Sequence, residues 1–165
     1  MGSTKSGKTR ATDEKEIIIE RIFNAPREQV WQTWTEAKHV EQWFGPRGFT
    51  TEVAELDLRP GGKSLYIMKD KEGNEYPSEG VFKEIVAQKK IVSTDEFGED
   101  EEGNLPDDLP SGMIVTTSFD DIGNDTRLTI QIMHQSVEDR KKHEEMGVVN
   151  GWNETLDKLE EYLEK

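Results

Sequence analysis

The chain contains no cysteine among its 165 residues. Disulfides and thiolate metal sites are therefore excluded, and a reducing cytoplasmic location is the expectation. Long apolar runs are also missing. Nothing approaches the ~20 residues of a membrane-spanning helix. Basic residues are scarce: 21 Lys and Arg stand against 35 Asp and Glu, for a net charge of −14. Such a chain has no basic face with which to displace nucleic-acid counterions, and it is repelled by anionic membrane surfaces. Residues 1–15 are polar, carry Lys5, Lys8 and Arg10, and lack the apolar segment of a secretory signal. They are expected to form a disordered polar leader before one domain over residues 16–165, a length that buries about 70% of its unfolded surface.

Two literal patterns fail on context. Gly2 to Thr9 matches the phosphate-loop pattern G-x-x-x-x-G-K-[ST] letter for letter. That loop works only between a strand and a helix, and here Met1 alone precedes it, with a polar segment following. The run from Asp95 to Asp108 holds eight acids and no base. Its spacing departs from a calcium-binding loop, so it reads as a solvated loop, with a docking surface for a basic partner as the alternative. Three histidines, His39, His134 and His143, are scattered without cysteine or close carboxylates, so no metal site and no cofactor are expected.

Aromatic residues are concentrated. Trp31, Trp34 and Trp43 cluster after Ala25-Pro26, and the fourth tryptophan, Trp152, lies in a C-terminal helical pattern. Rings gathered in two distant segments suggest that the segments meet or line one space. Around them the periodicity predicts a β-branched strand over 16–23, a helix from Pro26 to about Glu36 and a second short helix over 38–43. Strands then follow over 49–58, 63–69, 75–86, 90–97, 112–120 and 126–134. Turn residues separate them, notably Arg59-Pro60-Gly61-Gly62 and Gly73-Asn74. Met113, Val115, Thr117 and Phe119 share one face, as do Leu128, Ile130, Ile132 and His134. From Ser136, a moderate capping-box match, one long helix is expected. Met146, Val149, Trp152, Leu156, Leu159 and Leu163 form its apolar stripe, with Gly147 and Gly151 inside it. Glycines in a helix are tolerated where something packs close to the backbone or the helix bends. A rigid helix across a curved antiparallel sheet cannot fit flush along its length, and the mismatch leaves a cavity.

These motifs resemble a known family. Ala25-Pro26-x-x-x-Val30-Trp31-x-x-Trp34, Trp43-Phe44-Gly45-Pro46, Asp57-Leu58-Arg59-Pro60-Gly61-Gly62, Gly80-x-x-x-Glu84-Ile85, Thr126-Arg127-Leu128 and Gly151-Trp152 occur in order. They are similar to homologues of the activator of heat-shock protein 90 ATPase, in the START/birch-allergen-like (SRPBCC) superfamily, from residue 16 to about 163. The resemblance implies an α+β helix-grip fold. Its curved antiparallel sheet has about six to seven strands around a long C-terminal helix, with two short helices after the first strand. It also implies a central cavity for lipids, sterols, hormones or polyketides, with a few members acting as cyclases or hydrolases. The co-chaperone that names the family has an additional N-terminal chaperone-binding domain for which this chain leaves no room. A single domain is the bacterial type.

Candidate cavity residues are Trp34, Trp43, Phe44, Tyr66, Met68, Phe82, Phe97, Met113, His134, Met146 and Trp152. Rings and adaptable methionines suit pockets as well as cores. His134 is the best candidate base, although a lone histidine at a strand end more often serves a hydrogen bond. His39 and His143 read as solvated. Asp57 and Arg59, two apart on a strand, form an expected ion pair that anchors the turn. The leading expectation is a binding module for an apolar or amphipathic small molecule. A surface that modulates a chaperone comes second, and an enzyme third, since the sequence reveals no buried polar pair.

Overall fold

The computed structural model describes residues 8–10, 14–97 and 112–164. Strands β1 (Lys8–Arg10) and β2 (Glu16–Phe23) lead into helices α1 (Arg27–Thr35) and α2 (Ala37–Trp43). Six strands follow: β3 (Thr50–Leu56), β4 (Lys63–Lys69), β5 (Glu75–Val86), β6 (Lys90–Phe97), β7 (Met113–Ile122) and β8 (Asp125–Met133). Helices α3 (Val137–Glu145) and α4 (Val148–Leu163) complete the chain. All strands join one antiparallel sheet in the order β1-β2-β8-β7-β6-β5-β4-β3. The expected α+β helix-grip is thus observed, with seven longer strands and a three-residue edge strand inside the segment read as a leader. No helix among the described residues is long and apolar enough to cross a membrane. Most of the acidic run, residues 98–108, lies outside the described residues.

Alternation explains the sheet. Ile17, Ile19 and Phe23 on β2 are buried on the same side as Phe119 on β7 and Leu128 and Ile130 on β8. The two helices inserted after β2 carry the chain to the far edge of the sheet, so β2 pairs with β8 rather than with β3. Register shifts at Val53/Glu55 and Phe82/Glu84 mark bulges that bend β3 and β5. The Pro60-Gly61-Gly62 turn docks on the second bulge. Gly61 N–H donates to the Phe82 carbonyl at 2.7 Å, and Phe82 N–H donates to the Gly62 carbonyl at 2.9 Å. A side chain at Gly62 would meet the Asp57 carbonyl at 2.0 Å, so the turn demands glycine there. The expected Asp57–Arg59 pair forms beside it at 2.9 Å, exposed.

The single C-terminal helix expected from residue 136 is instead two. Ser136 caps α3 by accepting from Asp139 N–H at 3.0 Å. The helix stops at Met146 because Gly147 adopts φ +88, a left-handed conformation that other residues avoid. Gly147 then opens α4. Leu156 and Leu159 of α4 are fully buried against the sheet. An ion pair adds direction to this apolar contact. Arg21 of β2, 3% exposed, donates to Asp157 at 2.7 Å with Glu160 at 3.7 Å, locking α4 across the first long strand.

Candidate functional site

The curved sheet and α4 enclose a cavity of about 300 Å³, bordered by an inner lobe of about 80 Å³. Phe44, Ser78, Asp95, Val115 and Trp152 border both. The outer lobe is walled by Met68, Met113 and Ile132 from the sheet, and by His143, Gly147, Val148, Gly151 and Thr155 from the C-terminal helices. Met146, 37% exposed, stands at its rim with Pro46. The loop carrying Pro46 is fastened to α4: Lys158 donates to the Gly45 carbonyl at 3.0 Å, and Arg47 pairs with Glu161. Trp34, Val40, Trp43, Tyr66, Phe82 and Ile91 enclose the inner lobe.

The two tryptophan-bearing segments do meet. Trp34 stacks on Trp152 with ring centres 6.0 Å apart, and touches Trp43 at 4.8 Å. Phe44 meets Trp152 edge-on and Tyr66 at 4.9 Å. Trp43 is fully buried and donates its indole N–H to the Thr33 carbonyl at 2.9 Å. It is core and inner wall at once. Trp31 borders neither lobe and packs on Phe119, which Trp34 also meets edge-on.

Of the residues expected to line the cavity, Trp34, Trp43, Phe44, Tyr66, Met68, Phe82, Met113, Met146 and Trp152 border one lobe or both. Phe97 ends β6, and its side chain lies outside the described residues. His134 is buried but sits behind the wall. Its Nδ1 bonds to the Lys15 carbonyl at 2.8 Å and its Nε2 to His143 Nδ1 at 2.9 Å. A carbonyl only accepts, so His134 carries its proton on Nδ1, and His143 in turn donates from its own Nδ1. That leaves the His143 lone pair on Nε2. His143 is therefore not solvated: its ring is buried, borders the outer lobe and is pushed down to about 4 by burial and by His134. His39 is half-buried, with Nδ1 bonded to the Tyr162 hydroxyl at 2.6 Å.

Asp95 is an acidic cavity residue that the sequence reading missed. It does not belong to a solvated acidic loop. It lies on β6 paired with Gly80, and its carboxyl borders both lobes. The Ser93 hydroxyl donates to Asp95 Oδ1 at 2.8 Å. Burial raises the carboxyl to about 6 against the pull of that hydrogen bond. The Tyr66 phenol is raised as well, by burial first and then by the Asp95 charge. Strand parity is the signal that could have found Asp95, since Ile91, Ser93 and Asp95 alternate onto one face.

Residues 24–164 match the family described as Activator of Hsp90 ATPase homolog 1-like protein. The chain belongs to this family. Protein NE0264 from Nitrosomonas europaea is 31% identical, with a TM-score of 0.79 over 93% of this chain and 97% of its own. A protein from Arthrobacter aurescens is 26% identical, with a TM-score of 0.85 over 96% and 90% of the two chains. Ms6760 from Mycobacterium smegmatis is 25% identical, with a TM-score of 0.83 over 94% and 95%. No curated protein matches the chain.

Proposed function

We propose that this family member binds an apolar or amphipathic small molecule in the cavity between α4 and the sheet. The observation that carries the reading is the space itself. About 300 Å³ walled by rings, methionines and aliphatic side chains is the lower size range of ligand pockets. Gly151 supports it. A Cβ there would meet nothing within 4 Å, so this helix interior leaves out a side chain on the side of the void. Modulation of a chaperone, the activity in the family's description, is the second reading. The acidic stretch 98–108 that would serve it lies outside the described residues.

A thermal-shift screen with lipophilic compounds tests the proposal on the parent and on Gly151→Phe, whose ring would occupy the outer lobe. A ligand at a hundred times its Kd stabilises the parent by about 2.7 kcal/mol. The filled variant is expected to keep its fold and lose that shift. Equal shifts in both proteins would place the ligand elsewhere and end the reading.

A further inference from the structure

We propose that the cavity ligand carries a protonated amine on an apolar body and seats that amine against Asp95. The inference rests on the small-molecule reading above and specifies its ligand class.

Asp95 sits where the two lobes adjoin, with Oδ1 held by Ser93 at 2.8 Å. Among the described residues no lysine or arginine pairs with it, and none borders either lobe. An anionic head group in the cavity would therefore find a like charge and no counter-charge. Gly80 leaves room for the carboxylate itself. A Cβ at Gly80, its cross-strand partner, would come within 2.9 Å of Asp95 Oδ1.

The surroundings suit an ammonium group. Ser78 borders both lobes and Tyr66 the inner one, and the Tyr66 hydroxyl has no protein hydrogen-bond partner among the described residues. An ammonium has three N–H donors, one for the carboxylate and others for such hydroxyls. The rings of Trp152, Phe44 and Tyr66 attract a cation through their faces. A net charge of −14 draws cations toward the molecule and repels anions.

The groups facing Asp95 define its response to pH. Tyr66 on β4 stays protonated because its phenol is raised, and Ser78 on β5 and Val115 on β7 carry no charge. The α1 and α4 elements present Trp34 and Trp152. His143 from α3 borders the outer lobe and is neutral well above about 4. Glu79, exposed at the margin of the inner lobe, is the remaining acid. Between pH 8 and pH 5, Asp95 loses most of its charge.

The test uses three probes of matched length: decylamine, decanol and decanoate. Binding is read by tryptophan fluorescence, to which Trp34 and Trp152 report directly, and by NMR. At pH 8 decylamine is expected to bind at least tenfold tighter than decanol, with decanoate weakest. D95N should abolish the amine's advantage while leaving decanol binding intact. Lowering the pH to 5 should weaken decylamine up to about tenfold in the unaltered chain, since an alkylamine stays protonated throughout that range. The pH arm needs no variant, so it decides the matter even where D95N fails to fold. If decanol and decanoate bind but the amine gains nothing, and neither D95N nor acid changes its affinity, this inference falls and the cavity reading stands. If no probe binds, both fall.

Discussion

Replacing Asp95 with asparagine should stabilise the protein, and the gain should depend on pH with a defined sign. The carboxyl ionises near 3.8 in the unfolded chain and at about 6 in the fold, where burial opposes its charge. Between those values the native state binds the proton that the unfolded state has released, so stability falls as pH rises through that window. Above it the full penalty applies. A difference of about 2 units at 1.36 kcal/mol per unit gives about 3 kcal/mol as the upper limit. Partial exposure and the Ser93 hydroxyl solvate the charge in part, and an asparagine amide must itself find partners. The expected gain for Asp95→Asn at pH 8 is therefore about 2 kcal/mol, or a rise of about 4–8 °C in Tm for a chain of this size. At pH 5 the gain should shrink to about half, because folded Asp95 is then mostly protonated. Urea unfolding followed by tryptophan fluorescence at both pH values measures it. A variant no more stable than the parent at pH 8, or a gap that fails to narrow on acidification, would refute the argument that this carboxylate is held at a cost.

Three further outcomes follow from the geometry. Gly151→Ala should raise stability by about 1 kcal/mol in chemical denaturation, since a Cβ there meets no atom within 4 Å and alanine is the better helix former. Arg21→Met should cost about 3 kcal/mol, because Asp157 and Glu160 would lose the buried guanidinium that holds α4 to β2. His143 should show no ring titration by NMR between pH 8 and pH 5. Its depressed value means that it contributes stability above the ordinary histidine range, and that this stability is lost as pH falls from about 6.5 toward 4.

Local pattern made the strands readable. β4, β5 and β6 follow the expected boundaries because turn residues flank them and their side chains alternate, and Ser136 caps the helix it was expected to start. Rings gathered in two distant segments suggest that the segments meet or line one space, and Trp34 does stack on Trp152. What failed was non-local or ambiguous. Gly147 and Gly151 look alike in sequence, one turn apart in an amphipathic pattern. One breaks the helix with a left-handed backbone, and the other sits within α4 facing empty space. His143 lies in a polar helix whose sequence gives no sign of burial, and only the fold brings His134 beside it. Asp95 was hidden by its neighbours, because the acids that follow it turned a strand-end residue into part of a charged run. Arg21 and Asp157 are far apart in sequence, and no local rule pairs them.

Several departures from good folding practice border one volume, and their placement supports the proposed binding site. A helix interior does best without glycine, yet Gly151 faces the cavity wall bare. A half-buried carboxylate without a cation opposes folding, yet Asp95 stands where the lobes adjoin. Histidine favours water or a charge partner, yet His143 is held neutral beside the outer lobe. The Trp34 indole N–H, on the inner lobe, is buried without a hydrogen-bond partner among the described residues. Away from the cavity the turn at Gly62 has its glycine and α3 has its cap, although Gln88 takes φ +63 and Arg27 Nε is buried without a hydrogen-bond partner among the described residues. Proteins keep such local costs where a ligand repays them. A bound amine would fill the space at Gly151 and neutralise Asp95, so the residues that weaken the empty protein are those through which occupancy would strengthen it.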